Sequence, residues 1–256
     1  MPELKDLFGT DHPVAIVTGS GAKRVGNAVA RALAARGFHL VLHANRSHAE
    51  AEETMAELHR AGGQAIALAA DLTDEAAARQ FVDNAHQHYG RLDVLVNCAA
   101  IWKPIRLEDV TADDVRKNFE INTLATFLCS QQAGLKMAAQ PTGGVIINIG
   151  DWAVARPYLN YAAYFPSKGA IPTLTRDLAV ELAARNPRVR VNAILPGPVM
   201  LPPDLPREDR EASIAGTLVK REGSPEHIAH AVLFLIENDF VTGVSLPVDG
   251  GRTIAS

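Results

Sequence analysis

Seven short, almost uninterrupted apolar runs, separated by longer stretches rich in alanine and charge, constrain this chain more than any other feature. The runs occupy residues 14–17, 38–42, 65–69, 94–96, 145–149, 189–195 and 244–248. A strand buried on both faces needs that continuity, because neither row of its side chains meets water. The stretches between them, such as 28–36, 49–60 and 75–88, carry apolar residues at helical spacing. This alternation predicts an α/β fold. It would be a single Rossmann-type, doubly wound parallel sheet of about seven strands, with helices on both faces.

All 256 residues are expected to share that sheet as one domain (1–256), and a hydrophobic fraction of 47% is enough to fill its core. One segment breaks the rhythm: residues 196–222 hold five prolines and many charges. A long irregular insert after a strand reads as a substrate lid, here at about 197–222. The net charge of −4 leaves no basic footprint for nucleic acid. No apolar run has the length of a membrane span, and the start Met1-Pro2-Glu3-Leu4-Lys5-Asp6 lacks the pattern of a signal peptide. Cys98 and Cys129 lie in apolar stretches and suggest neither a disulfide framework nor a metal site. A soluble cytoplasmic protein is expected.

The first run leads directly into Thr18-Gly19-Ser20-Gly21-Ala22-Lys23-Arg24-Val25-Gly26. A glycine-rich turn between a strand and a helix lets a pyrophosphate approach the backbone, and the helix N-terminus meets it with unpaired N–H groups. Gly19, Lys23, Arg24, Val25 and Gly26 are the candidate contacts. A carboxylate after the second strand would favour NAD, whereas cations there favour NADP. The chain reads His43-Ala44-Asn45-Arg46-Ser47, so Asn45, Arg46 and Ser47 point to a 2′-phosphate and hence to NADP(H). Asp71 and Leu72 follow the third run and are candidates for the adenine, with a helix-capping region as the alternative for Asp71. Asn97 and Ala99 follow the fourth, where small residues let a ribose pass close.

These motifs, together with Asn122, Tyr164-x-x-x-Lys168, Pro196-Gly197 and the closing Val248-Asp249-Gly250-Gly251, resemble the short-chain dehydrogenase/reductases in kind and order along nearly the whole chain. Within them, four features are most similar to the pteridine reductases, including the dihydromonapterin reductases. They are Lys23-Arg24-Val25-Gly26, Asn45-Arg46-Ser47, Asp151, and the aromatic Trp102 five residues beyond Asn97. The resemblance implies a nicotinamide-dependent reductase with Asp151, Tyr164, Lys168 and Asn122 as catalytic residues. Asn122 would anchor a water beside Lys168, and Pro196, Gly197 and Val199 would adjoin the cofactor. It also implies a homotetramer built through helices at about 114–139 and 161–185. Ala100, Leu201 and a phosphate loop one residue longer than usual depart from the pattern. Pro166 fits only near a helix start.

Tyr164 and Lys168, four residues apart, would share a helix face. The lysine ammonium, together with the positive nicotinamide of an oxidised cofactor, is expected to bring the phenol's pKa from about 10 toward the working range, and the lysine to hold the nicotinamide ribose. Asp151 stands where ketone reduction would want a hydroxyl, because an ionised carboxylate repels a developing alkoxide. Reduction of a C=N bond instead requires a proton at nitrogen, which a buried carboxylic acid can supply. The alternative for Asp151 is a turn-capping carboxylate. Trp102, Tyr161, Arg24 and Asp151 are the candidate substrate contacts, with Trp102 stacking a flat ring. The expected partner is therefore a small molecule, a pterin or dihydropterin. Reduction of a ketone or 3-oxoacyl group is the alternative, followed by a silent NADP-binding protein.

Overall fold

In the computed structural model, which describes residues 2–255, seven strands form one parallel sheet in the order β3-β2-β1-β4-β5-β6-β7. They are β1 (Val14–Thr18), β2 (His39–Ala44), β3 (Ala65–Ala69), β4 (Val94–Asn97), β5 (Gly144–Ile149), β6 (Val189–Pro196) and β7 (Ser245–Val248). The helices are α1 (Leu4–Phe8), α2 (Val25–Arg36), α3 (His48–Arg60), α4 (Glu75–Tyr89), α5 (Ala112–Phe119), α6 (Ala125–Ala139), α7 (Phe165–Ala183), α8 (Arg207–Ala215) and α9 (Pro225–Glu237). The expected seven apolar runs are the seven strands, with ends shifted by one or two residues.

The continuity of those runs has a direct cause in the packing. Ala15 and Val17 of β1 face a core closed by Val29 and Leu33 of α2 and Ile228 and Val232 of α9. Val14 and Ile16, the alternate residues, face a second core closed by Phe81 and Val82 of α4, Leu128 and Met137 of α6 and Leu178 of α7. Strands β4 and β5 divide in the same way, Val96 and Ile147 to one side, Leu95 and Ile146 to the other. Each such fully buried aliphatic side chain stabilises the fold by roughly 1.5–3 kcal/mol.

The register Val17↔Leu42 and Val17↔Val96 puts β2 and β4 on opposite sides of β1. The chain therefore winds outward through β2 and β3, then returns across β1 to start again at β4. Connections diverge at that point and leave a crevice at the carboxyl ends of β1 and β4, where open α/β sheets bind ligands.

Three expectations change. The segment 197–222 is not irregular throughout, because α8 lies inside it. Its ends are tied by Glu222, which accepts from the Leu201 N–H at 2.9 Å and pairs with Arg210 at 2.7 Å. The helix expected over 114–139 is broken by a π-helical turn, Glu120–Leu124, which carries Asn122. The helix expected over 161–185 begins only at Phe165, and Tyr161 lies in the turn before it. No helix among the described residues is long and apolar enough to cross a membrane.

Candidate active site

The turn after β1 is shaped by what surrounds it. Gly19 has φ +65°, and a Cβ there would lie 2.9 Å from Ala99 Cα, so only glycine fits between this turn and the one after β4. The Thr18 hydroxyl accepts from both the Cys98 and Ala99 N–H groups at 3.0 Å, locking the two turns together. Helix α2 then starts at Arg24 with no side-chain cap and no acid in its first turn. By contrast, Asp74 caps α4 and Thr111 caps α5. An uncapped helix N-terminus at the carboxyl end of β1 fits a pyrophosphate.

His43 holds this turn from below, a role the sequence reading did not assign. Its Nδ1 accepts from the Gly19 N–H at 3.0 Å, so Nε2 carries the proton and donates to the Ala70 carbonyl at 3.1 Å. Burial lowers its pKa to about 4, against the opposing pull of the Ala70 carbonyl and Asp71, and the ring is neutral. Asn45 and Arg46 are exposed at the end of β2, and Ser47 packs against Gly21. Lys23 pairs with Glu53 at 3.5 Å.

Several expected cofactor contacts have other partners. Leu72 is buried in the core beside Phe81, so its side chain cannot cover a ring. Asp71 accepts from the Thr73 N–H and hydroxyl, which hold its carboxyl below the usual carboxylate range. The Asn97 amide donates to Ser130 Oγ and Asn148 Oδ1, both at 2.9 Å, tying β4 to α6 and β5. Asn122 is likewise occupied. Its Oδ1 accepts from the Ile101 N–H at 2.8 Å, and its amide donates to the Ile101 carbonyl at 3.1 Å and Ser167 Oγ at 3.0 Å. Ser167 in turn donates to the Tyr164 carbonyl at 2.6 Å. Asn122 thus fixes the start of α7 against the turn after β4, with its amide hydrogens engaged within the protein.

Asp151, Tyr164 and Lys168 converge at the carboxyl end of β5. Asp151 Oδ2 accepts the Tyr164 hydroxyl at 2.8 Å, and Oδ1 accepts the Ala153 N–H at 2.8 Å. The carboxyl therefore caps a turn and bonds the Tyr164 hydroxyl at once. Burial raises its pKa, while the Ala153 N–H, the Tyr164 hydroxyl and the Lys168 charge oppose the rise. Burial and the Asp151 carboxylate push the Tyr164 pKa up. Lys168 reaches past it and donates to the Ile149 carbonyl at 2.7 Å. Burial draws the Lys168 pKa down to about 8.

Aromatic rings wall this cluster. Trp102 stacks on Tyr161 at 5.0 Å and 16°, and Tyr161 meets Tyr164 edge-on at 6.0 Å. Tyr158, which was not a candidate, stacks on Trp152 at 6.3 Å and meets Tyr161 edge-on at 5.0 Å. Of the chain's two tryptophans and four tyrosines, only Tyr89 lies outside this group. The Ile105 N–H donates to the Asn160 carbonyl at 2.7 Å, which draws the Trp102 loop against Tyr161. Trp102 is 40% exposed, so it forms the rim of a slot. Arg24 is not part of this wall. It lines a groove of about 590 Å³ between α2 and α9, with Lys23, Arg31 and His230.

Residues 21–253 match a family model described as enoyl-(acyl carrier protein) reductase. The chain belongs to the short-chain dehydrogenase/reductase family. Its relatives differ in substrate. Ketoacyl reductase 2 assigned to the granaticin polyketide synthase of Streptomyces violaceoruber is 37% identical over 247 residues, 93% of this chain and 95% of that one. Pteridine reductase 1 of Leishmania tarentolae is 32% identical over 284 residues, 94% of this chain and 96% of that one. Among solved structures, a blue fluorescent protein from a metagenomic library in complex with NADPH is 36% identical, with a TM-score of 0.85 over 94% of this chain and 97% of that one. As a short-chain oxidoreductase this protein has a nicotinamide cofactor as its redox partner, and its fold is that of its structural relatives.

Proposed function

We propose that this short-chain oxidoreductase is an NADPH-dependent reductase of a pterin or dihydropterin, acting on a C=N bond. The observation that carries the reading is the Asp151–Tyr164 hydrogen bond at the back of the Trp102–Tyr161 slot. A bound NADPH supplies the hydride. The substrate nitrogen takes its proton from the Tyr164 hydroxyl, which burial keeps protonated at neutral pH. When Asp151 is protonated, the bond between the two residues reverses. The carboxylic acid then donates to the Tyr164 oxygen and leaves the phenol proton pointing at the substrate. As the phenol proton leaves, the carboxyl proton replaces it. Lys168, held by Ile149, keeps a positive charge nearby that favours the transient phenolate.

Arg46, Ser47 and Asn45 hold the 2′-phosphate in this reading, and their exposure at the end of β2 with no carboxylate in 43–47 supports NADP over NAD. The turn from Gly19 to Gly26 holds the pyrophosphate. Lys168 holds the nicotinamide ribose, and Ala99, Pro196, Gly197 and Val199 adjoin the cofactor. Trp102 and Tyr161 stack the flat substrate, and residues 197–222 form the lid. The protein works in the cytoplasm as a homotetramer, which would cover Phe119, Leu124, Leu135 and Val180, all exposed on the helices that the sequence assigns to subunit contacts.

Ketone reduction is the second reading, supported by the ketoacyl reductase relative. Oxidation of NADPH followed with dihydrobiopterin, dihydromonapterin and a panel of 3-oxoacyl and simple ketones separates the two. Turnover of the pterins is expected. Turnover of ketones alone, or an Asp151→Ser variant that keeps full pterin activity and gains none on ketones, would overturn the proposal.

A further inference from the structure

The closing sequence Val248-Asp249-Gly250-Gly251 has no part in the chemistry above, yet it anchors a tightly bonded turn. Asp249 accepts from the Gly251 N–H at 2.9 Å, the Thr253 N–H at 2.6 Å and the Thr253 hydroxyl at 2.7 Å. The Gly250 carbonyl accepts from the Leu218 and Val219 N–H groups at 2.8 and 3.2 Å, so the chain leaving α8 hangs from this turn. Arg156, in the loop that carries Asp151, donates to the Arg252 and Ala255 carbonyls. The C-terminal tail therefore touches both the segment carrying α8 and the loop carrying Asp151.

Arg252 stands where the two meet. Its guanidinium lies 5.2 Å from the centre of the Trp152 ring, and Trp152 directly follows Asp151. It also packs against Gly216, the C-cap of α8, so closely that a Cβ on Gly216 would fall inside the guanidinium. Gly216 has φ −75° and ψ −8°, a conformation alanine adopts freely. The backbone does not require glycine here, but a Cβ at 216 would displace the Arg252 guanidinium from its present place. A flat cation suits both neighbours, since it can stack on the indole and face the carbonyl end of α8.

We infer that Arg252 is a positioning residue for the substrate slot, its guanidinium wedged between Trp152 and Gly216 so that α8 is held against the aromatic wall beside Asp151. This rests on reading 197–222 as the lid, and not on the identity of the substrate. A lysine would lack the flat face that fills the gap between a ring and a bare backbone.

Hydrogen–deuterium exchange on the full-length protein, with and without NADPH, tests the wedge in Arg252→Ala, Arg252→Lys, Gly216→Ala and the double alanine variant. Arg252→Ala and Gly216→Ala should each speed exchange over 207–216 by roughly fivefold or more, with Arg252→Lys between them and the wild type, and with β1 and β5 unchanged. The double variant should exchange no faster than Arg252→Ala, because alanine at 216 then has nothing to displace. With dihydrobiopterin, Arg252→Ala should raise KM about tenfold, keep kcat within about threefold, and leave the NADPH dissociation constant within about twofold. Unchanged exchange over 207–216 in Arg252→Ala, additive effects in the double variant, or faster exchange spread over the whole sheet would each overturn the inference. If the wild type does not turn over dihydrobiopterin, the substrate reading fails and the exchange measurements still decide the role of Arg252.

Discussion

The Tyr164 hydroxyl donates to Asp151 Oδ2 at 2.8 Å, while the other oxygen of the same carboxyl caps the turn at Ala153. The chain thus commits a half-buried carboxyl to two donors and places it beside an acid that burial keeps protonated. A serine in the same place would carry no proton that titrates in this range. The difference bears on both stability and reaction.

For stability, the sign follows from the direction of the shift. The Asp151 pKa is raised on folding, so the native state holds its proton over a range where the unfolded chain has released it. Stability from this group is present at acid pH and lost as pH rises through the folded pKa. Asp151→Asn keeps partners for Ala153 and Tyr164 without the buried charge. It should melt about 2–4 °C higher than the wild type at pH 7.5, the equivalent of ~1 kcal/mol in a domain of this size, with the gap closing toward acid pH. Pterin reduction should fall by roughly a hundredfold or more. Thermal melts between pH 5 and 8 beside NADPH oxidation rates check both.

Lys168, drawn down to about 8 by burial, loses its charge within an accessible range. The rate kcat/KM should fall on an alkaline limb near that value, measured in the protein before it binds cofactor. In Lys168→Arg the limb should move out of range, because a guanidinium keeps its proton. Stability runs the other way. The native lysine gives up its proton from about 8, the unfolded one only near 10.5, so this group's contribution to stability rises with pH across that window. A pH–rate profile of both proteins, with unfolding midpoints taken alongside, separates the two effects.

His43 supplies the acid-side counterpart. Its pKa of about 4 in the folded protein lies below the unfolded value of 6.5, so stability falls as pH drops between them. A shift of that size corresponds to roughly 3 kcal/mol, on the scale of 1.36 kcal/mol per unit. His43→Gln can accept from Gly19 and donate to Ala70 without titrating. Its urea midpoint should depend clearly less on pH between 4.5 and 7 than that of the wild type. An equal slope in the two proteins would show that other groups govern the acid limb.

Arg46 tests the cofactor reading. With the guanidinium removed in Arg46→Ala, the KM for NADPH should rise by about ten- to a hundredfold, a charge-assisted contact being worth roughly 1.5–3 kcal/mol. The KM for NADH should change by about twofold or less, since it has no 2′-phosphate to lose. Steady-state rates with each cofactor give the ratio directly, and equal losses would place Arg46 elsewhere.

The strands were legible in the sequence because their cause is local. A strand covered on both faces must be apolar at every position, and Val14 to Val17 or Val145 to Ile149 can be recognised without knowing what covers them. The same holds for the glycine-rich turn after β1, where glycines crowd between a strand and a helix. The thirteen-residue spacing of Asp151 and Tyr164 did not show the hydrogen bond between them. Lys168 was expected near the phenol, and the sequence did not show that its ammonium also donates to the Ile149 carbonyl.

Sequence alone determined the sheet through its apolar runs and the family through motifs each carried by a few consecutive residues. Only the tertiary structure decided which polar groups remain available at the site. Asn97, Asn122 and Leu72 have the right residue types in the right order, yet neighbours from distant parts of the chain engage or bury all three side chains. His43, Tyr158 and Arg252 carry no local signal at all. His43 acquires its neutral state from burial and its tautomer from Gly19 and Ala70, and Arg252 acquires its place from Trp152 and Gly216. Burial and hydrogen-bond satisfaction are properties of the surroundings, and sequence spacing does not encode surroundings brought together from a hundred residues apart.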